Sequence, residues 1–297
     1  MLAIVGSIAL AGCSSDHGSR AHKSTSVTST TGSTGAPIVY VPGTTDRDPF
    51  SYDKAAPLDV TEREVAATGT YHAFHLTYRS GDQTVPAYLS VPNKPAAHPV
   101  CLVIQHGLSG SKEDTRNSWD VFAQQGVSIF AIDARSHGER GSKSELTRVV
   151  SNAGSLRTML QGTVIDLRRG IDMLRQRPEC ATARIGYLGF SMGGLLGAML
   201  AGSDTRVQAP VLVVAGGDWR KLFRNPGNPW LHASLTAPAH LNESVRVLDP
   251  IDPAHWVGRI SPRPVLMLNG RTDKLIPVPA ADALHDAARQ PKQVEWY

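Results

Sequence analysis

Apolar positions change their spacing near residue 50, and from there onward the pattern predicts short strands that alternate with helices. Two β-rich runs, at 71–78 and 85–92, flank a Ser-Gly-Asp turn and predict a hairpin. Continuous apolar runs of strand length follow, which is typical of strands buried on both faces of a parallel sheet. These runs lie at 99–105, 127–133, 184–190, 207–217 and 262–270, and residues 292–297 begin one more.

The segments between these runs predict helices. In residues 156–178 apolar side chains recur at helical spacing, and Pro178 marks the end. The predicted buried face consists of Leu160, Val164, Leu167, Ile171 and Leu174. Shorter helices are predicted at about 115–125, directly after residue 191, and at 280–290. Strands that alternate with helices predict an α/β fold, with a mostly parallel sheet and helices on both faces.

Composition narrows the function classes without changing this fold. The chain has 297 residues, of which 41% are hydrophobic and 19% charged, and this fits one α/β domain or two smaller ones with a sizeable core. The formal net charge of +4 is not gathered into a stripe or tail, so we expect no nucleic-acid partner. The sequence has no metal-ligand spacing and no phosphate-binding loop, so we expect no metal and no cofactor.

The first 45 residues form a separate region by composition. Residues 1–12 are an apolar run too short to span a bilayer, which needs about 20 residues, and they resemble the core of a secretion signal. The letters LAGC, which end at Cys13, are similar to a bacterial lipobox, in which the cysteine is lipidated. Residues 13–45 are rich in Ser, Thr and Gly and would tether a domain at 46–297 to this anchor.

We therefore expect an extracytoplasmic lipoprotein of the cell envelope, held on a membrane through the lipid on Cys13. An ordinary secreted protein with a cleaved signal peptide is one alternative, and a chance apolar start is another. A signal peptide has a positively charged segment before its apolar run, but no Lys or Arg precedes the run in this sequence. We therefore expect the natural start to lie further upstream.

Residues 189–194, GFSMGG, place Ser191 within the spacing G-x-S-x-G. A predicted strand enters this motif and a predicted helix leaves it, which is the context of a nucleophile elbow. Small residues at Gly189 and Gly193 would relieve the crowding of so sharp a turn, and a helix N-terminus favours negative charge beside the serine. The alternative is a Gly/Ser-rich turn of purely structural use.

Four segments, in this order, resemble the α/β-hydrolase superfamily, and within it the dienelactone-hydrolase-like and prolyl-oligopeptidase-like serine esterases. They are IQHGLSGSKED, AIDARSHGERG, DLRRGIDMLRQRPECATARIGYLGFSMGG and SPRPVLMLNGRTDKLIP. The resemblance runs from about Phe50 to Tyr297. It implies that Ser191 is a nucleophile served by a histidine base and an acid, because a serine hydroxyl is otherwise unreactive at neutral pH.

Attack on an ester builds negative charge on the carbonyl oxygen, which needs two hydrogen-bond donors fixed in advance. The backbone N–H of Met192, directly after the nucleophile, is the first predicted donor of this oxyanion hole. By resemblance, the second is the N–H of Leu108, in the turn after His106. His106 is itself a candidate base, but its place in the turn favours a role in shaping that turn.

Chain order in this fold predicts an acid after Ser191 and a histidine after the acid. Asp273 lies in the loop after the run at 262–270, matches the family position and is the predicted catalytic acid. Asp218, after the preceding apolar run, is the rival. Turn formation or helix capping is the alternative reading of both aspartates.

The base is harder to place, because only His285 follows Asp273 in this chain. His285 lies on a predicted helix, where we expect it to be exposed, whereas the family places its histidine in the loop after the next strand. We therefore expect that the C-terminal end of the domain is missing from this sequence and that the base lies beyond Tyr297.

Three further features stay open at the level of sequence. The insertion at about 219–256, with its prolines and tryptophans, is predicted to fold over the site as a cap with apolar walls. His137 and Arg140 follow a predicted strand, where they would either line the pocket or make ordinary loop contacts. Cys101 and Cys180 lie near the starts of runs that are neighbours in the family's sheet, and the pattern favours two buried thiols over a disulfide.

Together these features predict a serine hydrolase of carboxylic esters that acts through an acyl-enzyme on Ser191, with a small-molecule ester as its substrate. A serine peptidase that uses the same apparatus is the nearest rival. A non-catalytic binding protein is a different class, which a serine kept at a strained elbow disfavours. The sequence leaves the particular substrate and the oligomeric state open.

Overall fold

One open sheet organises the part of the chain that the computed structural model describes, residues 48–225 and 233–297. Its strands are β1 (Thr61–Ala67), β2 (Tyr71–Ser80), β3 (Gln83–Pro92), β4 (Val100–Gln105), β5 (Val127–Ile132), β6 (Arg184–Phe190), β7 (Val207–Val213), β8 (Val265–Asn269) and β9 (Lys292–Trp296). Their order across the sheet is β1-β2-β3-β5-β4-β6-β7-β8-β9. The pairs among β1, β2, β3 and β5 are antiparallel, and every pair from β5 to the β9 edge is parallel.

Helices lie on both faces of this sheet, so the predicted α/β fold class is confirmed. They are α1 (Trp119–Gln124), α2 (Lys143–Val150), α3 (Ala153–Gln176), α4 (Met192–Ser203), α5 (Trp219–Phe223), α6 (Ala233–Thr236), α7 (Pro238–Leu248), α8 (Pro253–Val257) and α9 (Val278–Ala287). The insertion between β7 and β8 contains α5 to α8. In the ranges given above, no helix is both long enough and apolar enough to cross a membrane.

The long helix α3 shows why the pattern predicted it. All five residues of its predicted apolar face are buried. The removal of each side chain from water stabilises the folded state by about 1.5–3 kcal/mol. Asn152 caps its first turn by accepting from the backbone N–H of Ser155 at 2.9 Å, and the helix ends two residues before Pro178. Tyr78 on β2 donates to the backbone carbonyl of Asp166 at 2.6 Å and fastens the helix to the sheet.

The sequence pattern missed the edge strand β1. Its residues, TEREVAA, include three consecutive charged side chains, and the strand is largely exposed. An exposed edge strand that pairs on one side with β2 needs no buried face, so it leaves little apolar periodicity to detect.

Cys101 and Cys180 form a disulfide, so the prediction of two separate thiols is wrong. Their Cα atoms lie 5.9 Å apart, within the range of about 4.4–6.8 Å in which a disulfide closes. Cys101 lies in β4, and the chain before β6 folds back so that Cys180 reaches it. The two cysteines are 79 residues apart in sequence, and only the pairing of β4 with β6 brings them together.

Candidate active site

Ser191 occupies the single-residue turn between β6 and α4. Its backbone angles are φ 54° and ψ −115°, a conformation that costs a non-glycine residue about 1–3 kcal/mol. Its backbone N–H donates to the carbonyl of Val213 at 2.8 Å, which ties the turn to the neighbouring strand β7. The strand, sharp turn and helix predicted around G-x-S-x-G are therefore all present.

Two glycines make this turn possible, because the backbone passes too close to them for a side chain. A Cβ atom at Gly193 would lie 2.2 Å from the carbonyl oxygen of Gln105, and one at Gly189 would lie 2.1 Å from the carbonyl oxygen of Gly193. The hydroxyl of Tyr187 donates to that same Gly193 carbonyl at 2.5 Å. The predicted relief of crowding by these glycines is confirmed.

Ser191 and both predicted oxyanion donors share one cavity. Ser191 is half-buried and lines a cavity of about 360 Å³, together with Leu108 and Met192. Met192 is the first residue of α4, where the backbone N–H has no intrahelical acceptor and the helix dipole favours negative charge. The two predicted donors therefore belong to separate elements that border the same cavity as Ser191.

His106 holds the turn that carries Leu108. Its Nδ1 lies 2.7 Å from the carbonyl oxygen of Gly107, and its Nε2 lies 3.1 Å from the backbone nitrogen of Ala134. Nδ1 therefore donates and Nε2 accepts, as in a neutral imidazole. Burial lowers the pKa of His106 to about 4, which keeps the ring neutral. Because both nitrogens are engaged, the ring links the loops after β4 and β5 and is poorly placed to act as a base.

His137 supports the same turn from the loop after β5. Its Nε2 lies 2.6 Å from the carbonyl oxygen of Leu108, and its Nδ1 lies 2.8 Å from the carbonyl oxygen of Arg135. Arg140 instead donates to the buried carboxylate of Asp166 at 2.8 Å. Neither His137 nor Arg140 is among the described residues that line the cavity at Ser191, so both make loop contacts.

A buried ion pair that the sequence pattern did not predict holds this loop in place. Lys112 Nζ lies 2.9 Å from Asp133 Oδ2, and the backbone N–H of Lys112 donates to Asp133 Oδ1 at 2.8 Å. Burial opposes the charge on Lys112, but its hydrogen bonds to Glu139 and Asp133 outweigh burial and raise its pKa. The sequence does contain a signal for this pair: Asp133 ends the apolar run at 127–133, and Lys112 lies in the loop after the run at 99–105.

Asp273, the predicted acid, lies half-buried in the loop after β8. Its Oδ1 accepts from the backbone N–H groups of Leu275 at 2.6 Å and Ile276 at 3.0 Å. Leu275 and Ile276 in turn line the cavity at Ser191. The structure therefore places the predicted acid in a loop that borders the cavity at Ser191.

Asp218, the rival acid, serves as a helix cap. Its Oδ1 accepts from the backbone N–H groups of Arg220 at 3.0 Å and Lys221 at 3.3 Å, at the start of α5. Its own backbone N–H donates to Asp252 at 2.9 Å. Asp273 accepts two backbone N–H groups in the same way, so these hydrogen bonds do not separate the two candidates, and Asp273 stays the predicted acid.

His285 is buried, so the expectation of an exposed histidine on a helix face is wrong. Its Nε2 lies 2.9 Å from Asn269 Oδ1, and its ring packs edge-on against Trp296 with the centroids 5.2 Å apart. Both partners come from the β8–β9 edge of the sheet, against which α9 packs. Burial lowers the pKa of His285. These contacts explain the residue as part of the core.

The base remains a prediction. Within residues 48–225 and 233–297, no histidine hydrogen-bonds to Ser191 or to Asp273. Cys13 and the predicted segments 1–12 and 13–45 lie outside the described residues.

The insertion between β7 and β8 forms one wall of the cavity. Helix α5 contributes Trp219, Leu222 and Phe223, and α6 contributes Leu235. All four side chains are buried, and Trp219 Nε1 donates to the carbonyl of Leu248 at 3.0 Å. The described part of the insertion therefore supplies apolar walls, as a cap was predicted to do.

A mostly parallel sheet with a serine at a strand-to-helix elbow defines the α/β-hydrolase fold. Two solved structures share it with this chain. The acetyl xylan esterase from Paenibacillus sp. R4 aligns with a TM-score of 0.69 at 22% sequence identity, covering 82% of this chain and 83% of that chain. Acetyl xylan esterase 1 from Thermoanaerobacterium sp. JW/SL YS485 aligns with a TM-score of 0.69 at 19% identity, covering 84% of each.

The sequence model of the dienelactone hydrolase family matches residues 85–297, and the chain belongs to this family. A protein of Bacillus subtilis (strain 168) called "Putative hydrolase YtaP" is 24% identical over 255 residues, covering 80% of this chain and 80% of that protein. The superfamily and family resemblance stated from the sequence is confirmed, and the protein is a hydrolase.

Proposed function

We propose that this protein hydrolyses carboxylic esters through an acyl-enzyme formed on Ser191. The observation that carries the proposal is the strained backbone of Ser191, held at a helix N-terminus in a cavity that also contains Leu108 and Met192. Such strain persists only where the surroundings enforce it, and it concentrates at functional sites. A protein that only binds a ligand does not need it, so the strain favours an enzyme over a non-catalytic binding protein.

In the proposed reaction, the hydroxyl oxygen of Ser191 attacks the ester carbonyl carbon while its proton passes to a base. The backbone N–H groups of Leu108 and Met192 donate to the oxyanion that forms. Collapse of the tetrahedral intermediate breaks the bond to the alcohol, which leaves with the proton from the base. Water then attacks the acyl-enzyme by the same route, which releases the carboxylic acid and restores the serine.

Asp273 is the proposed acid, and a histidine is the proposed base. The carbonyl of Tyr297 accepts from the backbone N–H of Arg271 at 2.9 Å, so the end of β9 lies beside the loop that carries Asp273. The proposal gives Asp273 the task of holding the imidazole in the tautomer that accepts the serine proton.

We also propose an extracytoplasmic location with a lipid anchor on Cys13. The Cys101–Cys180 disulfide supports this location, because disulfides persist in oxidising compartments. The lipobox-like letters before Cys13 are the second support. Labelling of cells with radioactive palmitate tests the anchor: the natural protein should take up label, and label in a Cys13→Ala variant would refute the anchor.

Ser191→Ala, made in the full natural polypeptide, tests the esterase proposal. Loss of the nucleophile should lower kcat for a p-nitrophenyl ester by about 10⁵- to 10⁶-fold. Ser155→Ala is the matched control, since it removes an exposed hydroxyl on α3. A fluorophosphonate should label Ser191, as located by mass spectrometry. Unchanged hydrolysis in Ser191→Ala would refute the proposal, and cleavage of peptide amides without cleavage of esters would favour the peptidase alternative.

A further inference from the structure

The cavity at Ser191 has apolar walls and a polar rim. Its deep wall is formed by buried side chains from α3, α4 and the cap, namely Met159, Leu160, Leu195, Phe223 and Leu235. Of the described lining residues, the ones with hydroxyl or carboxylate side chains are Ser191, Ser109 and Asp114, and the last two are exposed. A ligand group that passes Ser191 therefore enters hydrocarbon surroundings.

The described part of this lining disfavours several chemical classes of ligand in the cavity. No Lys, Arg or His is among the described lining residues, so a carboxylate there would lose its hydration without gaining a partner. Sugar hydroxyls would also find few side-chain partners among the described lining residues, and a buried hydroxyl without a partner is unfavourable. Asp114 at the rim is itself anionic and already accepts from the backbone N–H of Ser111 at 3.1 Å.

The volume of the cavity sets the size of the group that fills it. At about 360 Å³, it lies within the range of roughly 300–1,000 Å³ for sites that enclose a small organic ligand. A water molecule occupies about 30 Å³ in the liquid, and a methylene group is of similar size, so on the order of ten such groups fit. A two-carbon acetyl group would leave most of the apolar wall in contact with water.

We propose that this cavity is an acyl-chain pocket and that the substrates are esters of medium-chain fatty acids, with about six to ten acyl carbons. The inference rests on the proposed function, because Ser191 fixes the position of the carbonyl carbon. With the carbonyl oxygen on the N–H groups of Leu108 and Met192, the acyl chain lies against the buried leucines. The alcohol leaves at the rim, where Phe190 is 52% exposed.

The chain-length profile of hydrolysis is the first test. p-Nitrophenyl esters with two, four, six, eight and ten acyl carbons would be compared in the full natural polypeptide. Each methylene moved from water into the pocket favours binding by about three- to fourfold, so kcat/KM should rise on the order of 100-fold from acetate to hexanoate. A profile that is highest at acetate would overturn the pocket.

Binding of straight-chain methyl ketones is the second test, and it separates the pocket from catalysis. A ketone carries the carbonyl group but cannot be cleaved, so its affinity does not depend on a base. From 2-butanone to 2-decanone, Kd measured by calorimetry should fall about three- to fourfold per methylene. If Kd falls in this way but esters are not hydrolysed, the proposed function is refuted and the acyl-chain pocket stands. If esters are hydrolysed but the ketone Kd does not change with chain length, only the acyl-chain pocket is refuted.

Two opposite substitutions at Leu235 are the third test of the pocket. Leu235 is suited to it because its side chain is 2% exposed and lines the cavity from the cap. Leu235→Trp should fill the pocket and lower the ratio of octanoate to butyrate hydrolysis by about tenfold or more, and Leu235→Ala should move the optimum to longer chains. Leu241→Ala, on the same insertion but not among the described lining residues, is the control. Unchanged ratios and ketone affinities in both Leu235 variants would overturn the proposal.

Discussion

The β4–β6 pair and the β8–β9 pair each carry half of the candidate site, but they hold it in different ways. β4 and β6 are central strands, joined near their amino ends by the Cys101–Cys180 disulfide, and their carboxyl ends lead to Leu108 and Ser191. β8 and β9 lie at one edge of the sheet, and half-buried residues alternate with exposed ones along β9. The loop after β8 carries Asp273, which is also half-buried.

The two pairs differ in what fixes the functional groups. At the β4–β6 pair, the turn at Ser191 is packed by the close backbone approach at Gly193, and the turn after β4 is packed by the buried ring of His106. At the β8–β9 pair, two hydrogen bonds within its own loop orient the Asp273 carboxylate. Substitutions that disturb the close packing at the first pair should therefore lower stability, and substitutions in the loop of the second pair should lower activity with little change in stability.

Among the substitutions that test this contrast between the two pairs, Asp273→Asn should have the largest effect. An amide cannot hold the imidazole in the required tautomer, so kcat for ester hydrolysis should fall by about 10³- to 10⁴-fold. Its side-chain oxygen can still accept from the N–H of Leu275, so the free energy of unfolding in urea should change by less than about 1 kcal/mol.

The matched control is Asp218→Asn, since asparagine caps a helix about as well as aspartate. This variant should keep both its kcat and its stability. If Asp218→Asn loses activity while Asp273→Asn does not, the acid is Asp218 and the assignment of the two loops is reversed.

Removal of the disulfide tests the stability of the β4–β6 pair directly. The bond closes a loop between residues 79 apart, so Cys101→Ser with Cys180→Ser should lose about 4 kcal/mol of unfolding free energy. Urea unfolding of the oxidised protein and the double variant measures this difference. A loss below about 1 kcal/mol would show that packing alone holds the two strands together.

Gly193→Ala tests the close approach at the elbow. The added Cβ would lie 2.2 Å from the carbonyl oxygen of Gln105, so the backbone must shift, which should cost about 3 kcal/mol in urea unfolding. Gly69→Ala is the control, because a Cβ there meets nothing within 4 Å. Equal unfolding free energies for the two variants would mean that the elbow tolerates a side chain.

The same contrast explains which parts could be predicted from the sequence. The Ser191 elbow was predictable because its steric needs are local and leave glycines at fixed offsets from the serine. The apolar face of α3 was predictable because each buried side chain repeats at helical spacing.

Long-range pairing explains what could not be predicted. The burial of His285 depends on Asn269 and Trp296, and the disulfide depends on the register of β4 against β6. No local pattern reports such contacts. The charged edge strand β1 escaped for the opposite reason, since it has little buried face to mark it.

The smallest expected effect is a pH dependence of stability at the β4–β6 pair. Burial lowers the pKa of His106 to about 4, against about 6.5 in an unfolded chain, so the unfolded state binds more protons between these values. Stability should therefore be highest above pH 6.5 and fall as the pH drops toward 4, and this residue accounts for about 2 kcal/mol of that loss at pH 5.

Urea unfolding from pH 7 to pH 5 would compare the natural protein with His106→Gln, and with His98→Gln on an exposed loop as a control for the substitution. His285, whose pKa burial also lowers, is present in all three proteins and cancels. Equal pH slopes for the natural protein and His106→Gln would show that the ring is not held neutral by burial, and that the oxyanion turn is less rigid than the contacts of His106 imply.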